Sequence, residues 1–137
     1  MDEEMMDAGQ CDKQTAFEKV NIGSEKYTQV FRADEKAFDA HHRYVVRERS
    51  KEGEAPALVD LGIVKFQKGP IKENGVNGVM NEDLIAMVLD RLYSFQESQF
   101  KCRENAIAIT KLEETLMWLR KRTIEREDRG VEGTHKV

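Results

Sequence analysis

The sequence is poor in the residues that would staple a chain or carry it through a bilayer. It has two cysteines, Cys11 and Cys102, far apart and with no second pair. That count excludes a disulfide framework and a four-cysteine zinc site. The longest unbroken apolar run, Leu84–Leu89, is six residues, far short of the roughly 20 that cross a bilayer as a helix. The first residues read MDEEMMD, acidic where a signal or transit peptide is basic, so no such leader is expected. Aromatic residues make up only 7% of the 137, while 35% are charged. A chain of that length suits one compact domain, and its composition gives it little apolar material for a core of its own. Oligomerisation is the natural way to bury what remains. The net charge of −4 argues against a general DNA or RNA binder. These absences leave a small, cytosolic, self-associating domain.

Composition changes along the chain. Residues 1–39 open with Asp2, Glu3, Glu4, Asp7 and Asp12, and their apolar residues follow no period, so an acidic, weakly structured arm is expected there. RYVVRER (43–49) and ALVDLGIVKF (57–66) are rich in β-branched residues and flank a turn at Gly53, which predicts a β-hairpin. Leu61 and Ile63 fall on one face of its second strand, Val64 and Phe66 on the other. Residues 67–80 hold Asn74-Gly75 and Asn77-Gly78, two dipeptides that adopt positive φ cheaply, so a structured loop is expected. Asn81 is a good N-cap, followed by Glu82 and Asp83 in the first turn of a helix. Leu84, Val88, Leu92 and Phe95 form its apolar stripe. A long helix follows, with Ile109, Leu112, Leu116 and Leu119 repeating at three, four and three, the seam of a helix packed on another helix. Gly130 ends it, and residues 130–137 form a tail.

The expected class is therefore α+β. An N-terminal hairpin or small antiparallel sheet packs on two C-terminal helices, the last one long, and the helices form the oligomer interface. Residues 40–137 make one ligand-binding domain, with its sheet at 43–66, its loop at 67–80, helices at 81–97 and 102–129, and a tail at 130–137.

Few residues offer catalytic chemistry. The loop around Lys68 and Lys72 lacks the Lys-Ser/Thr of a phosphate loop, and the acids at the following helix start would repel a phosphate. His41 and His42 are adjacent, so on a strand they face opposite ways, and His135 lies in the tail; no metal site is expected. Cys102 precedes Arg103 at a helix N-terminus, where thiol pKa values fall, but no base or orienting group accompanies it, and a structural role is favoured. The long helix is more informative. Arg122, Arg126 and Arg129 line one face near its C-terminal end, readable either as a solvated face that complements the helix dipole or as an anion clamp. Arg103 and Asn105 sit at the other end. Asn105 and Arg122 are about 26 Å apart along one helix. A small ligand touching both must therefore lie between subunits, where two antiparallel copies of the helix packed through the leucine seam bring opposite ends together.

Four segments carry a resemblance: FQKGPIKENGVNGV (66–79), FQESQFKCRENAIAIT (95–110), KLEETLMWLRKRT (111–123) and RGVEGTHKV (129–137). They resemble the phage-encoded Thoeris anti-defence family and, more distantly, the anti-CBASS sponges. The resemblance implies a protein without catalysis or cofactor. It binds glyco-cyclic ADP-ribose, the messenger that a TIR-domain enzyme makes from NAD, and keeps it intact in the cytoplasm of the infected bacterium. It implies a homo-dimer or hexamer, and in some relatives a second site for cyclic di- or trinucleotides. By the same resemblance Phe95 stacks on the base, Asn105 lines the pocket, and Arg122 and Arg126 hold the phosphates. Phe95 also completes the apolar stripe of its own helix, so core packing stays open for it. Arg103, Lys68 and Lys72 are further candidates by position and charge. Thr134, His135 and Lys136 are the first place to look for a cyclic-oligonucleotide site. The alternatives are a nucleotide-degrading enzyme and a plain helical dimerisation module.

Overall fold

A computed structural model describes residues 17–55 and 57–137. The opening acidic cluster and Cys11 lie outside the described residues. The chain divides after Lys68 into two compact units, a sheet followed by helices, so the class is α+β.

The sheet is an antiparallel meander of β1 (Glu18–Lys19), β2 (Thr28–Arg32), β3 (Arg43–Glu48) and β4 (Asp60–Lys65), in that order across the sheet. The predicted hairpin is its β3–β4 half. The stretch read as an arm contributes β1 and β2. Their pattern was silent because Val30 and Phe31 are consecutive and both half-buried, on opposite faces of a two-sided strand that need not alternate. Register places Val45 between Phe31 and Ile63, and Val45 is 1% exposed. Beside it the Arg47 guanidinium lies 4.9 Å from the Phe17 ring centroid and donates to Asp60 Oδ1 at 2.7 Å. The register slips by one residue between Val46 and Arg47. On the other face Tyr44 and Phe66 meet edge to face at 5.7 Å. Val64 and Phe66 are half-buried, whereas Leu61 and Ile63 remain exposed.

The β2–β3 connection is held by its polar groups. The Asp34 carboxylate accepts from the backbone N–H of His42 at 3.0 Å and of Arg43 at 3.2 Å. His41 Nδ1 meets the Asp34 carbonyl at 2.9 Å, and His42 Nε2 meets that of Ala37. Between Ala37 and Ala40 the chain reverses through Phe38 and Asp39, both at positive φ, the backbone of a two-residue hairpin turn.

The second unit comprises α1 (Ile71–Asn74), α2 (Asn81–Gln96) and α3 (Arg103–Asp128). The one-turn α1 lies inside the segment expected as loop. Of its two Asn-Gly pairs, only Asn74-Gly75 uses the left-handed region, Gly75 at φ 72°. The α2 cap is shifted by one residue from the expected Asn81: Met80 is the N-cap, and Asp83 accepts its N–H at 2.8 Å. Methionine has no capping oxygen, so the acid three residues on satisfies that orphan donor instead.

Val45→Ala removes two methyl groups from the best-buried position of the sheet. Denaturant unfolding of this variant is expected to show a loss of about 2–3 kcal/mol, the transfer cost plus a cavity.

Candidate functional site

Which side chains are available to a ligand depends on how α2 and α3 face each other. Half-buried residues on α3 recur at Asn105, Ile109, Leu112, Leu116, Leu119, Thr123 and Arg126, alternating four and three throughout. The leucine seam thus continues to a polar residue at each end. Along part of its length it packs on α2 of the same chain. The short Glu97–Cys102 connection makes the neighbouring helix of the same chain the nearest apolar partner.

On α2 the covered positions are Glu82, Leu84, Ile85, Leu89, Leu92 and Gln96, with Leu89 4% exposed. Of the predicted stripe, Leu84 and Leu92 are covered, while Val88 and Phe95 are exposed. The run Leu84–Leu89 is apolar all round, so its period does not choose a face. The choice is made by Gln96, whose amide accepts from the Cys102 N–H at 2.9 Å and donates to the Cys102 carbonyl at 3.0 Å. This clamp fixes the turn between the helices, and Cys102 caps α3 through Sγ, which accepts the Asn105 N–H at 3.4 Å. With Gln96 turned in, Phe95 is turned out, 36% exposed.

Phe95, Arg103 and Asn105 therefore gather at the interhelical turn. The Phe95 ring has the Arg91 guanidinium 5.3 Å from its centroid, a neighbour one helical turn back that the spacing alone could have found. The Asn105 side-chain amide and the Arg103 guanidinium make no hydrogen bond or ion pair among the described residues.

The remaining helical candidates gather at the far end of α3. Gly130 at φ 72° closes a Schellman motif, in which its N–H reaches the Glu127 carbonyl and that of Val131 the Arg126 carbonyl. The tail then folds back. Arg126 Nη2 donates to the carbonyls of Val131 (3.1 Å), Thr134 (3.1 Å) and Lys136 (2.9 Å). The Lys72 N–H donates to the Gly133 carbonyl at 2.8 Å, and His135 Nδ1 pairs with Glu73. The Thr134 hydroxyl donates to the Val131 carbonyl. Thr134 and His135 thus hold the tail's own turn, while Arg122, exposed and off the seam, makes no hydrogen bond or ion pair among the described residues. Lys68 belongs to the sheet unit.

A single chain therefore presents two clusters, one at each end of α3. One offers an aromatic face and an amide. The other offers guanidinium groups suited to phosphate oxygens. The clusters stand about 26 Å apart along the helix. Between them lie large exposed apolar side chains, Met117 at 70% and Trp118 at 62%.

Residues 62–123 match the family described as "Acb2/Tad1, hairpin domain". Over that stretch the chain is similar to the Acb2/Tad1 hairpin. It is also 72% identical, over 76 residues, to a protein named Thoeris anti-defense 1 from Bacillus phage SBSphiJ7. That stretch is 56% of this chain and 54% of the phage protein, so the chain spans about half the length of the relative it matches. The resemblance to the Thoeris anti-defence family is read from segments 66–79, 95–110, 111–123 and 129–137, and the family match spans the first three of them. The family match at 62–123 includes Phe95, Arg103, Asn105 and Arg122 and stops short of Arg126 and the tail.

The two helices of the hairpin are also joined by the Tyr93 hydroxyl, which donates to Glu113 Oε2 at 2.9 Å. That bond to Glu113 raises the Tyr93 pKa above the ordinary 10.0, because only the neutral phenol can donate it. Its stabilisation is therefore present wherever Tyr93 is protonated and is lost as pH rises through the raised value. Glu113→Gln is expected to bring the Tyr93 pKa back toward 10, read from the ring carbon shifts of that residue in an NMR titration.

Proposed function

We propose that this protein sequesters glyco-cyclic ADP-ribose without cleaving it and so blocks Thoeris defence in the cytoplasm of the infected bacterium. The observation that carries the reading is the pair of clusters at opposite ends of α3. A cyclic ADP-ribose offers one adenine face and one pyrophosphate. Phe95 and Asn105 suit the first, Arg122 and Arg126 the second, with Arg103, Lys72 and Lys68 as further cationic contacts. The separation exceeds the span of such a molecule, so the pocket closes only when the turn of one copy meets the tail end of another. The exposed apolar surface around Met117 and Trp118 supplies a reason for two copies to associate, since a small domain rarely leaves such side chains to water. The leucine seam, already answered by α2, is not required for it.

The similarity to a phage protein named for Thoeris anti-defence favours this reading over the two alternatives. A nucleotide-degrading enzyme needs a nucleophile, metal or acid–base pair. Among the described residues no cluster of three or more His, Cys, Asp or Glu side chains is placed to hold a metal, and Cys102 is engaged as a helix cap. A plain dimerisation module gives no reason for Arg122 and Asn105 to stand unpaired at the two ends. No helix among the described residues is long and apolar enough to cross a membrane. Cyclic di- or trinucleotides are proposed only as secondary ligands, at Lys136 and its neighbours Thr134 and His135.

Incubation with the messenger followed by denaturation is expected to return it intact; fragments would establish turnover instead. At 100-fold excess over Kd the bound protein gains about 2.7 kcal/mol against unfolding, and an unshifted melting curve would refute binding. Arg122→Glu or Asn105→Ala is expected to abolish binding while light scattering still reports the wild-type assembly. Dissociation by either change would mark the residue as structural.

A further inference from the structure

We propose that the C-terminal peptide 131–137 is an autoinhibitory strap: in the free protein it occupies the Arg126 guanidinium, and a phosphate gains that group only by displacing it. This deepens the sequestration reading and rests on it.

A guanidinium grips two oxygens of one phosphate along either of two edges, Nε with Nη2 or Nη1 with Nη2. Cδ stands between Nε and Nη1, so Nη2 belongs to both edges. Three tail carbonyls accept from that nitrogen, those of Val131 at 3.1 Å, Thr134 at 3.1 Å and Lys136 at 2.9 Å. Its two N–H groups are thus shared among three acceptors, and neither is left for a ligand. With the tail in place, Arg126 has no two-point edge to offer. Arg122, one turn earlier on α3, is exposed and makes no hydrogen bond or ion pair among the described residues. A phosphate therefore meets Arg122 first and gains Arg126 when the tail gives way.

The strap is closed by contacts that a ligand can outbid. Its carbonyls leave the guanidinium charge unneutralised, whereas a phosphate brings a counter-charge as well as acceptors. Beyond Arg126 the tail rests on exposed residues. The Lys72 N–H donates to the Gly133 carbonyl at 2.8 Å, His135 pairs with Glu73, and Arg129 Nη1 donates to the Val137 main-chain oxygen at 3.0 Å. Gly130 and Gly133, at φ 72° and 73°, set the reversal that carries the carbonyls back to Arg126. At Gly133 an added Cβ would also lie 2.9 Å from Lys72 Cγ, so closure requires glycine there. A strap closed by a factor of about ten, the net worth of one or two ordinary hydrogen bonds, weakens apparent binding by about tenfold.

Gly133→Val in the full chain opens the strap without changing any residue of the phosphate grip. Release is read independently as faster hydrogen exchange of the Lys72 amide, which loses its acceptor, while circular dichroism checks that the helices remain. Calorimetric titration with glyco-cyclic ADP-ribose is expected to show affinity strengthened about tenfold. Mere damage to the fold would weaken binding, so the direction of the change is diagnostic. A second variant ends after Gly130 and is amidated there, so that no new carboxylate lies beside Arg126. It removes the strap outright and is expected to bind at least as tightly as Gly133→Val. In the unaltered chain, saturation with the messenger should free the tail, read as backbone order parameters of residues 134–137 falling below about 0.6. Unchanged or weaker binding by a variant that has lost the strap and kept its helices overturns the inference. So does a tail that stays ordered in the saturated protein. Absence of binding by the unaltered and the released chains alike is a separate result, which overturns the sequestration reading itself.

Discussion

A helix of 26 residues is a rigid spacer of about 39 Å, and the candidate site follows from which of its side chains the seam with α2 consumes. The seam takes one residue every three or four from Asn105 to Arg126. Everything off the seam is left for other partners: Met117, Trp118 and Arg122 on α3, and by the matching rotation Phe95 on α2. Shifting α2 by one residue would bury Phe95 and expose Leu89. The clamp between Gln96 and Cys102 opposes that shift with two hydrogen bonds. A polar side chain at the end of an apolar stripe therefore decides that an aromatic ring faces outward.

The same logic separates the two arginines. Periodicity along α3 groups Arg122 and Arg126 as equivalents one turn apart. The 4-3 seam puts Arg126 at its last half-buried position and Arg122 outside it. At the end of a helix a half-buried guanidinium needs acceptors, and the last backbone carbonyls together with a returning tail are the nearest. The tail's order is thus a consequence of the arginine's burial. Its sequence, two glycines about a Val-Glu pair, permits the reversal that the arginine requires.

Much of this was legible in the residues, and the failures have physical causes. The β3–β4 hairpin, both long helices and the Gly130 stop were readable because β-branched runs, heptad spacing and helix-ending glycine are local signals. β1 and β2 were not, because a two-residue strand carries no pattern and a strand with two covered faces does not alternate. The α2 stripe was only half legible, right at Leu84 and Leu92 and wrong at Val88 and Phe95, because six consecutive apolar residues define no face. That α3 meets α2 of its own chain was not legible, because a heptad states that a helix will be met, not by which chain. The fold of the tail was not legible because its bonds run to residues near 72 and 126, a long-range arrangement that no local period encodes.

Sequestration and assembly are linked on the proposed reading. If the messenger bridges the turn of one copy and the tail end of another, each ligand bound favours association, and each association completes a pocket. Val45 and Leu89 are the buried apolar side chains among the described residues, so a copy alone has little apolar core with which to resist unfolding. On the same reading, self-association would add burial through the surface around Met117 and Trp118. The long helix need only hold two clusters apart at a fixed distance. On that reading a second copy, running the other way, would bring them together, and the chain would need no deep pocket of its own.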